Sequence, residues 1–285
     1  MDSNKILVVN DIPGFGKVAG NVNIPVLTSM GYQVAILTTL LLSENVSAPG
    51  DVYFHPIGDY FQNTIQHWRS TDITFQGVMT GFFNDQQQIE DLREYYHFLN
   101  RNEKHIPLIV DPIMADHGKF YPGFDEEFAM SMYRLIEHAT LVTPNLTEAC
   151  FLAETPYSDY KTKEELADIA DKILQSGVEY VLITGIQFEG SPDKIGFYLA
   201  SRNDHQLIFH RYYPYAIMGT GDFAVSYITG HYLAHQKMNQ AVEQCSHYLE
   251  VIMEETFKDE SNIPKDRVIA LRFEPLLHTL FKSIH

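Results

Sequence analysis

Short runs of β-branched and apolar residues alternate along this chain with stretches whose apolar positions recur every third or fourth residue. The runs predict strands at Ile6–Val9, Gln33–Leu37, Gly77–Thr80, Leu108–Asp111, Leu141–Thr143 and Tyr180–Thr184. Helical periodicity falls near Val18–Met30, Ile57–Arg69, Gln86–Asn100, Asp125–Glu137, Leu146–Ala153 and Lys163–Gln175. Strands alternating with helices in this way predict an α/β fold, a parallel sheet covered by helices. After Gly185 the pattern changes to two strand-like runs, Ile195–Ala200 and Gln206–Tyr212, joined by the turn-rich Ser201-Arg202-Asn203-Asp204. They predict a hairpin at or beside one sheet edge. Helices resume at Gly221 and Asn239, and no repeat, low-complexity tract or Pro/Gly/Ser linker marks a boundary, so a single domain over residues 1–285 is expected.

Composition narrows the class. Lys+Arg 20 against Asp+Glu 37 gives a formal charge of −17 over 285 residues, which repels a phosphate backbone and argues against a nucleic-acid partner. A chain that is 45% hydrophobic and 13% aromatic is not a disordered acidic polymer. The longest apolar stretch, Val34–Leu42, is interrupted by Thr38 and Thr39; it is far short of the ~20 residues a membrane helix needs. Asp2 and the early polar Asn10 leave no signal-peptide core. Cys150 and Cys245 both sit on helical apolar stripes and read as core filler. These features predict a globular protein of the reduced cytoplasm, with no membrane partner.

Four segments carry candidate chemistry. Gly14-Phe-Gly16-Lys-Val-Ala-Gly20 follows a strand and precedes a helix, but its spacing is one residue off a dinucleotide fingerprint, so a tight strand-to-helix turn is expected. Met218-Gly219-Thr220-Gly221-Asp222 opens a helix. Its glycines let the backbone approach a ligand, and successive amides at a helix start make an anion-binding concavity. An aspartate there would repel the anion, yet it suits a base that takes a proton from a hydroxyl attacking a phosphoryl group. A capped helix without chemistry is the alternative. Asp111-Pro-Ile-Met-Ala-Asp116 and Thr143-Pro-Asn145-Leu-Thr-Glu148 lie at strand ends. Asn145 and Glu148 have capping-box spacing, and the same carboxylates offer hard oxygen ligands for magnesium on a nucleotide phosphate. No Walker lysine motif occurs, and His231 and His235, one helical turn apart, lack the glutamate of a zincin motif.

In this order the four motifs resemble the ribokinase superfamily, and within it the pyridoxal (vitamin B6) kinases; Gly219–Asp222 is the most specific of them. The resemblance implies a three-layer α/β/α sandwich with a largely parallel central sheet, commonly a homodimer, that transfers the γ-phosphate of ATP, with magnesium, to the hydroxymethyl group of a B6 vitamer. By position it implies that Asp222 is the base and that the amides of Gly219, Thr220, Gly221 and Asp222 form the anion hole. Asn145 and Glu148 would organise magnesium and the phosphates, with Asp111 and Asp116 near them and Glu148 and Asp111 the metal-side carboxylates. Thr184 matches a phosphate-contacting position, and Ile217 and Met218 fall near nucleotide or pyridine. Thr39–Val46 matches the family's stretch ending in Ser-Asn-His-Thr, and Gly81-Phe82 its Gly-Tyr, so that Phe82 flanks the pyridine. The departures lie on the vitamin side. Asn45 and Val46 replace His and Thr, and Asn10 and Asp11 stand near a substrate-binding serine. A valine cannot donate the hydrogen bond a threonine hydroxyl could, so either Asp11, beside Asn10 among the expected substrate-binding residues, grips the ring polar groups differently or the preferred vitamer has changed. Hydroxymethylpyrimidine kinases of thiamin synthesis share the fold but usually carry cysteine at the position of Asp222. A non-catalytic vitamin or nucleotide binder is the third possibility. The segment His117–Gly123 has the composition of a hinged loop that covers the phosphates during transfer.

Overall fold

The computed structural model describes residues 4–45, 50–101, 105–258 and 268–284. In chain order the first elements are β1 (Lys5–Pro13), α1 (Gly20–Ser29), β2 (Gln33–Leu42), β3 (Phe54–Pro56), α2 (Asp59–Ser70) and β4 (Gly77–Thr80). Next come α3 (Gln86–Leu99), β5 (Leu108–Val110), β6 (Ala115–Asp116), β7 (Lys119–Phe120), α4 (Glu126–Ile136), β8 (Leu141–Val142), α5 (Leu146–Leu152) and α6 (Lys163–Leu174). The chain continues through β9 (Tyr180–Ile186), β10 (Lys194–Ser201), β11 (His205–Arg211), β12 (Ile217–Met218), α7 (Thr220–His235), α8 (Met238–Phe257), β13 (Ile269–Ala270), a 3₁₀ turn at Glu274–Leu276 and α9 (Leu277–Ile284). The fold is the expected α/β class, a mostly parallel sheet flanked by helices. No helix among the described residues is long and apolar enough to cross a membrane.

The chain divides into two compact units, Met1–Met79 with Tyr213–His285, and Thr80–Tyr212. In the first, strands run in the order β4-β1-β2-β3, with β1 and β2 parallel and β3 antiparallel on the edge. Ile6, Leu7, Val8 and Val9 are fully buried, as a strand covered on both faces requires. β1 extends past the expected Val9 through Asn10 and Asp11 to Pro13, because both polar side chains are buried rather than turned to water. Register between β1 and β2 slips between Asn10 and Ile12, a bulge that sets Asp11 off the regular ladder. α1 packs on α7 and α9. α7 is buried almost all round from Phe223 to Tyr232, hence the core helix of this unit.

In the second unit β5, β8 and β9 are parallel, and β9, β10 and β11 continue antiparallel, so the expected late hairpin is present at the edge. Its turn closes with the Ser201 N–H donating to the Asp204 carbonyl at 2.8 Å. The segment expected to be a hinged loop differs: β6 and β7 form a hairpin through His117 and Gly118, both at positive φ (49° and 75°), the geometry of a two-residue I′ turn. Gly118 N–H donates to Thr147 Oγ1 at 3.0 Å, which pins the hairpin tip to α5.

Gly219 is the position where the backbone demands glycine on two counts. Its φ is +88°, and a Cβ there would lie 2.4 Å from the Lys17 carbonyl oxygen. At Gly221 a Cβ would meet nothing within 4 Å. Gly219→Ala is therefore expected to cost on the order of 3 kcal/mol, whereas Gly221→Ala changes stability by less than about 1 kcal/mol; denaturant unfolding of the two variants checks the contrast.

Candidate active site

In the first unit the candidate base sits at the start of α7. Gly219 is the left-handed N-cap, and with Thr220, Gly221 and Asp222 it turns successive amides toward one side, the geometry of an anion nest. The Asp222 carboxylate accepts from the Ala19 N–H and from its own N–H. Burial nevertheless holds its carboxyl above the usual range, since the two amides offset only part of the desolvation. Asp11, 7% exposed, is shifted further, to about 7, first by burial and then by the negative charge of Asp222, against the opposing bond from its own N–H. Two acids that repel each other's ionised form behave as a pair in which one retains its proton near neutrality. The turn before α1 is fixed by Asn21, whose amide donates to the carbonyls of Pro13 (2.8 Å) and Gly16 (3.0 Å). Lys17 ties the same turn to the C-terminal segment, donating to the Leu271 carbonyl at 3.1 Å and pairing with Glu274 at 2.6 Å. Ile217 and Met218, half-buried, form β12 beside β13.

In the second unit the acidic groups cluster at strand ends. Glu148, 3% exposed, accepts at Oε1 from the N–H of Met114 (3.1 Å) and Ala115 (3.5 Å), and at Oε2 from the Asn145 N–H (2.9 Å). Asn145 Oδ1 accepts from the Glu148 N–H at 3.0 Å, so the capping box is complete. Burial, then the charge of Asp111, holds the Glu148 carboxyl well above its usual range despite those three amides. Asn145 Nδ2 donates to the Ala115 carbonyl at 2.8 Å, next to Asp116, and Asn145 bridges to Thr184 across the β8–β9 side. Asp116 is exposed and accepts from the His117 N–H at 2.8 Å. The five expected phosphate and metal residues thus lie together. Glu148 and Asp111 suit magnesium as hard oxygen donors, and magnesium commonly takes one or two carboxylates with the rest of its shell from water and phosphate. Glu148 already accepts from three backbone amides, so it would reach such an ion through water rather than directly.

Comparison with known proteins gives the family. The model of the phosphomethylpyrimidine kinase family matches residues 26–264. The chain belongs to this family. A pyridoxine/pyridoxal/pyridoxamine kinase of Bordetella avium is 26% identical over 82% of this chain and 79% of its own length. A Bacteroides thetaiotaomicron structure named for phosphomethylpyrimidine kinase and solved with pyridoxal is similar with a TM-score of 0.87 and 29% identity, covering 98% of this chain and 96% of that one. The pyridoxal kinase of Lactobacillus plantarum, 25% identical, gives 0.87 over 99% and 98%.

Other family-derived expectations fare unevenly in the geometry. Val46 lies outside the described residues. Phe82 is half-buried and packs on Phe124 at 5.5 Å, which stacks on Phe128 at 4.0 Å, so its ring heads an aromatic ladder. Asn10, expected to bind substrate, is 1% exposed and its amide donates to Asn23 Oδ1 at 2.8 Å. Tyr121 escaped the sequence reading. Its hydroxyl is pushed well up by burial and then by the charges of Glu148, Asp116 and Asp111, which places it among the three acids. The only hint was its place in the glycine-flanked stretch after Asp116.

The paired acids leave a signature in stability. The folded protein holds the Asp11 proton up to about pH 7, while the unfolded chain releases it near pH 4. The stabilisation is therefore complete below about pH 4 and is lost as pH rises through about 7, by as much as about 1.4 kcal/mol per pH unit. Asp11→Asn removes that titration. Its Tm relative to the parent should rise between pH 5 and pH 8, measured by calorimetry; parallel Tm curves for the two proteins would show that Asp11 titrates normally.

Proposed function

We propose that this chain is an ATP-dependent kinase that phosphorylates the hydroxymethyl group of a B6 vitamer, pyridoxal, pyridoxine or pyridoxamine. The observation that carries the reading is Asp222: a carboxylate in the first turn of a helix, three residues after the left-handed cap Gly219, with the amides of an anion nest around it and the Ala19 amide on its side chain. Amides alone would bind an anion; amides with an acid in the same turn suit phosphoryl transfer to a hydroxyl. The hydroxymethyl oxygen attacks the γ-phosphorus as its proton passes to Asp222. The new O–P bond forms while the bond from γ-phosphorus to the bridging oxygen breaks, and ADP leaves with that electron pair. The amides of Gly219, Thr220 and Gly221, with the Asp222 amide that its own carboxylate shares, stabilise the charge on the transferred group. Asp111, Asp116, Asn145, Glu148 and Thr184 hold the triphosphate side, where magnesium neutralises phosphate charge when bound. Asp11, whose carboxyl titrates near neutrality, exchanges a proton-sharing hydrogen bond with the polar edge of the vitamer, and Phe82 takes the face of its ring. Ile217 and Met218 flank the nucleotide. The names of the similar kinases, and pyridoxal in the Bacteroides thetaiotaomicron structure, support the vitamer over the pyrimidine. The protein works as a cytoplasmic homodimer with one kinase domain per chain.

ADP release, measured with each vitamer and with hydroxymethylpyrimidine, tests the reading. Turnover should be highest with a vitamer, and Asp222→Asn should lower it by about 10²–10⁴ while ATP binding stays intact. Preference for the pyrimidine would make the chain a thiamin-pathway kinase, and no turnover with any acceptor would make it a binder.

A further inference from the structure

Beneath Asp222 lies a polar chain that no catalytic step above uses. Asn23, on α1, is 0% exposed in a helix face otherwise made of Gly20, Val22, Val26 and Leu27. Its Oδ1 accepts from Asn10 Nδ2 of β1 at 2.8 Å. Its Nδ2 donates to Ser226 Oγ at 2.9 Å and to the Asp222 carbonyl at 3.3 Å, both on α7. Ser226, also 0% exposed, donates its hydroxyl back to the same Asp222 carbonyl at 2.6 Å. Three elements are thereby joined at one carbonyl.

Apolar residues at 10, 23 and 226 together would fill this interface with no polar group to satisfy, so the network is not needed for burial alone. Its geometry has a direction: every bond leads to the first turn of α7. One turn earlier on α1, Ala19 donates its N–H to the Asp222 carboxylate. Ala19 does so from φ 53° and ψ −134°, a region that L residues avoid and that persists where the surroundings hold it. α1 therefore holds both ends of Asp222, the side chain through Ala19 and the main chain through Asn23.

Resting on the kinase reading above, we propose that Asn23 is a positioning residue: with Ser226 and Asn10 it clamps the first turn of α7 to β1 and so sets where the Asp222 carboxylate points. Asn10 then belongs to the clamp rather than to the vitamer contact. A misaimed base slows the chemical step and leaves the binding of both substrates alone.

Asn23→Leu and Ser226→Ala test this, the second removing one hydroxyl from a helix that otherwise stays intact. In each, kcat should fall by roughly tenfold to a hundredfold with the KM values for ATP and vitamer nearly unchanged. Added to Asp222→Asn, either change should produce no further loss, because the group it aims is already gone. Hydrogen exchange should quicken at the amides following Asp222 in the single variants. Parental kcat in a stable Ser226→Ala protein, or losses that add fully to that of Asp222→Asn, would overturn the proposal. Should Asn23→Leu not fold, Ser226→Ala decides by the same readings. If the parent turns over no acceptor, the kinase reading fails by itself, and the exchange measurement still decides whether the clamp holds α7: unchanged exchange in Ser226→Ala refutes it.

Discussion

Asp11, Asp222 and Glu148 are acids taken out of water and held mainly by backbone N–H groups. Desolvating a carboxylate costs several kcal/mol, and each amide returns only a part of that. The residue is visible in all three groups, whose carboxyls sit above their usual range although Ala19, Asn145, Met114 and Ala115 donate to two of them. A fold that retains this cost must supply amides in fixed directions, and the remaining architecture does so. Glycine at 219 permits the left-handed cap, the bulge at Asp11 takes that side chain off the β1 ladder, and the β6–β7 hairpin brings the amides of Met114 and Ala115 onto Glu148.

The parallel strands matter because their carboxyl ends open into loops where backbone amides are not yet used by the ladder. Asn10 and Asp11 stand toward the end of β1, Asp111 just after β5, Asn145 just after β8 and Thr184 within β9. Burial of the strand interiors, for example Ile6 to Val9 and Leu108 to Val110, fixes register and leaves the chemistry at the ends. The fold thus separates what stabilises from what reacts, while the Asn10, Asn23 and Ser226 network ties the two together in the first unit.

Much of this was legible in the chain. Alternating apolar runs and helical periodicity placed the starts of the long strands and helices within a few residues, whereas β1 and β2 run on past their expected ends through buried polar residues, Asn10 and Asp11 in one and Thr38 and Thr39 in the other. The pieces that escaped are short or non-local. β6, β7, β12 and β13 have two residues each, too few to show a period, and β3 is exposed on an edge. Asn145 and Glu148 were readable both as a capping box and as metal-side groups because the same atoms do both: the box orients the carboxyl, and Asp111 raises it. Asn23 was invisible because its meaning lies in Ser226, 203 residues away. The polar residue inside an apolar helical stripe was the available signal, and only the partner shows its purpose.

Asp11 and Asp222 form one electrostatic pair, in which the Asp222 charge helps to raise the Asp11 carboxyl. Carbon-13 NMR titration of the aspartate carboxyls, in the parent and in Asp222→Asn, measures it most directly. The Asp11 carboxyl is expected to titrate at about 7 in the parent and to move down when the Asp222 charge is removed. An Asp11 carboxyl titrating near pH 4 in both proteins, the value of an unperturbed aspartate, would contradict it.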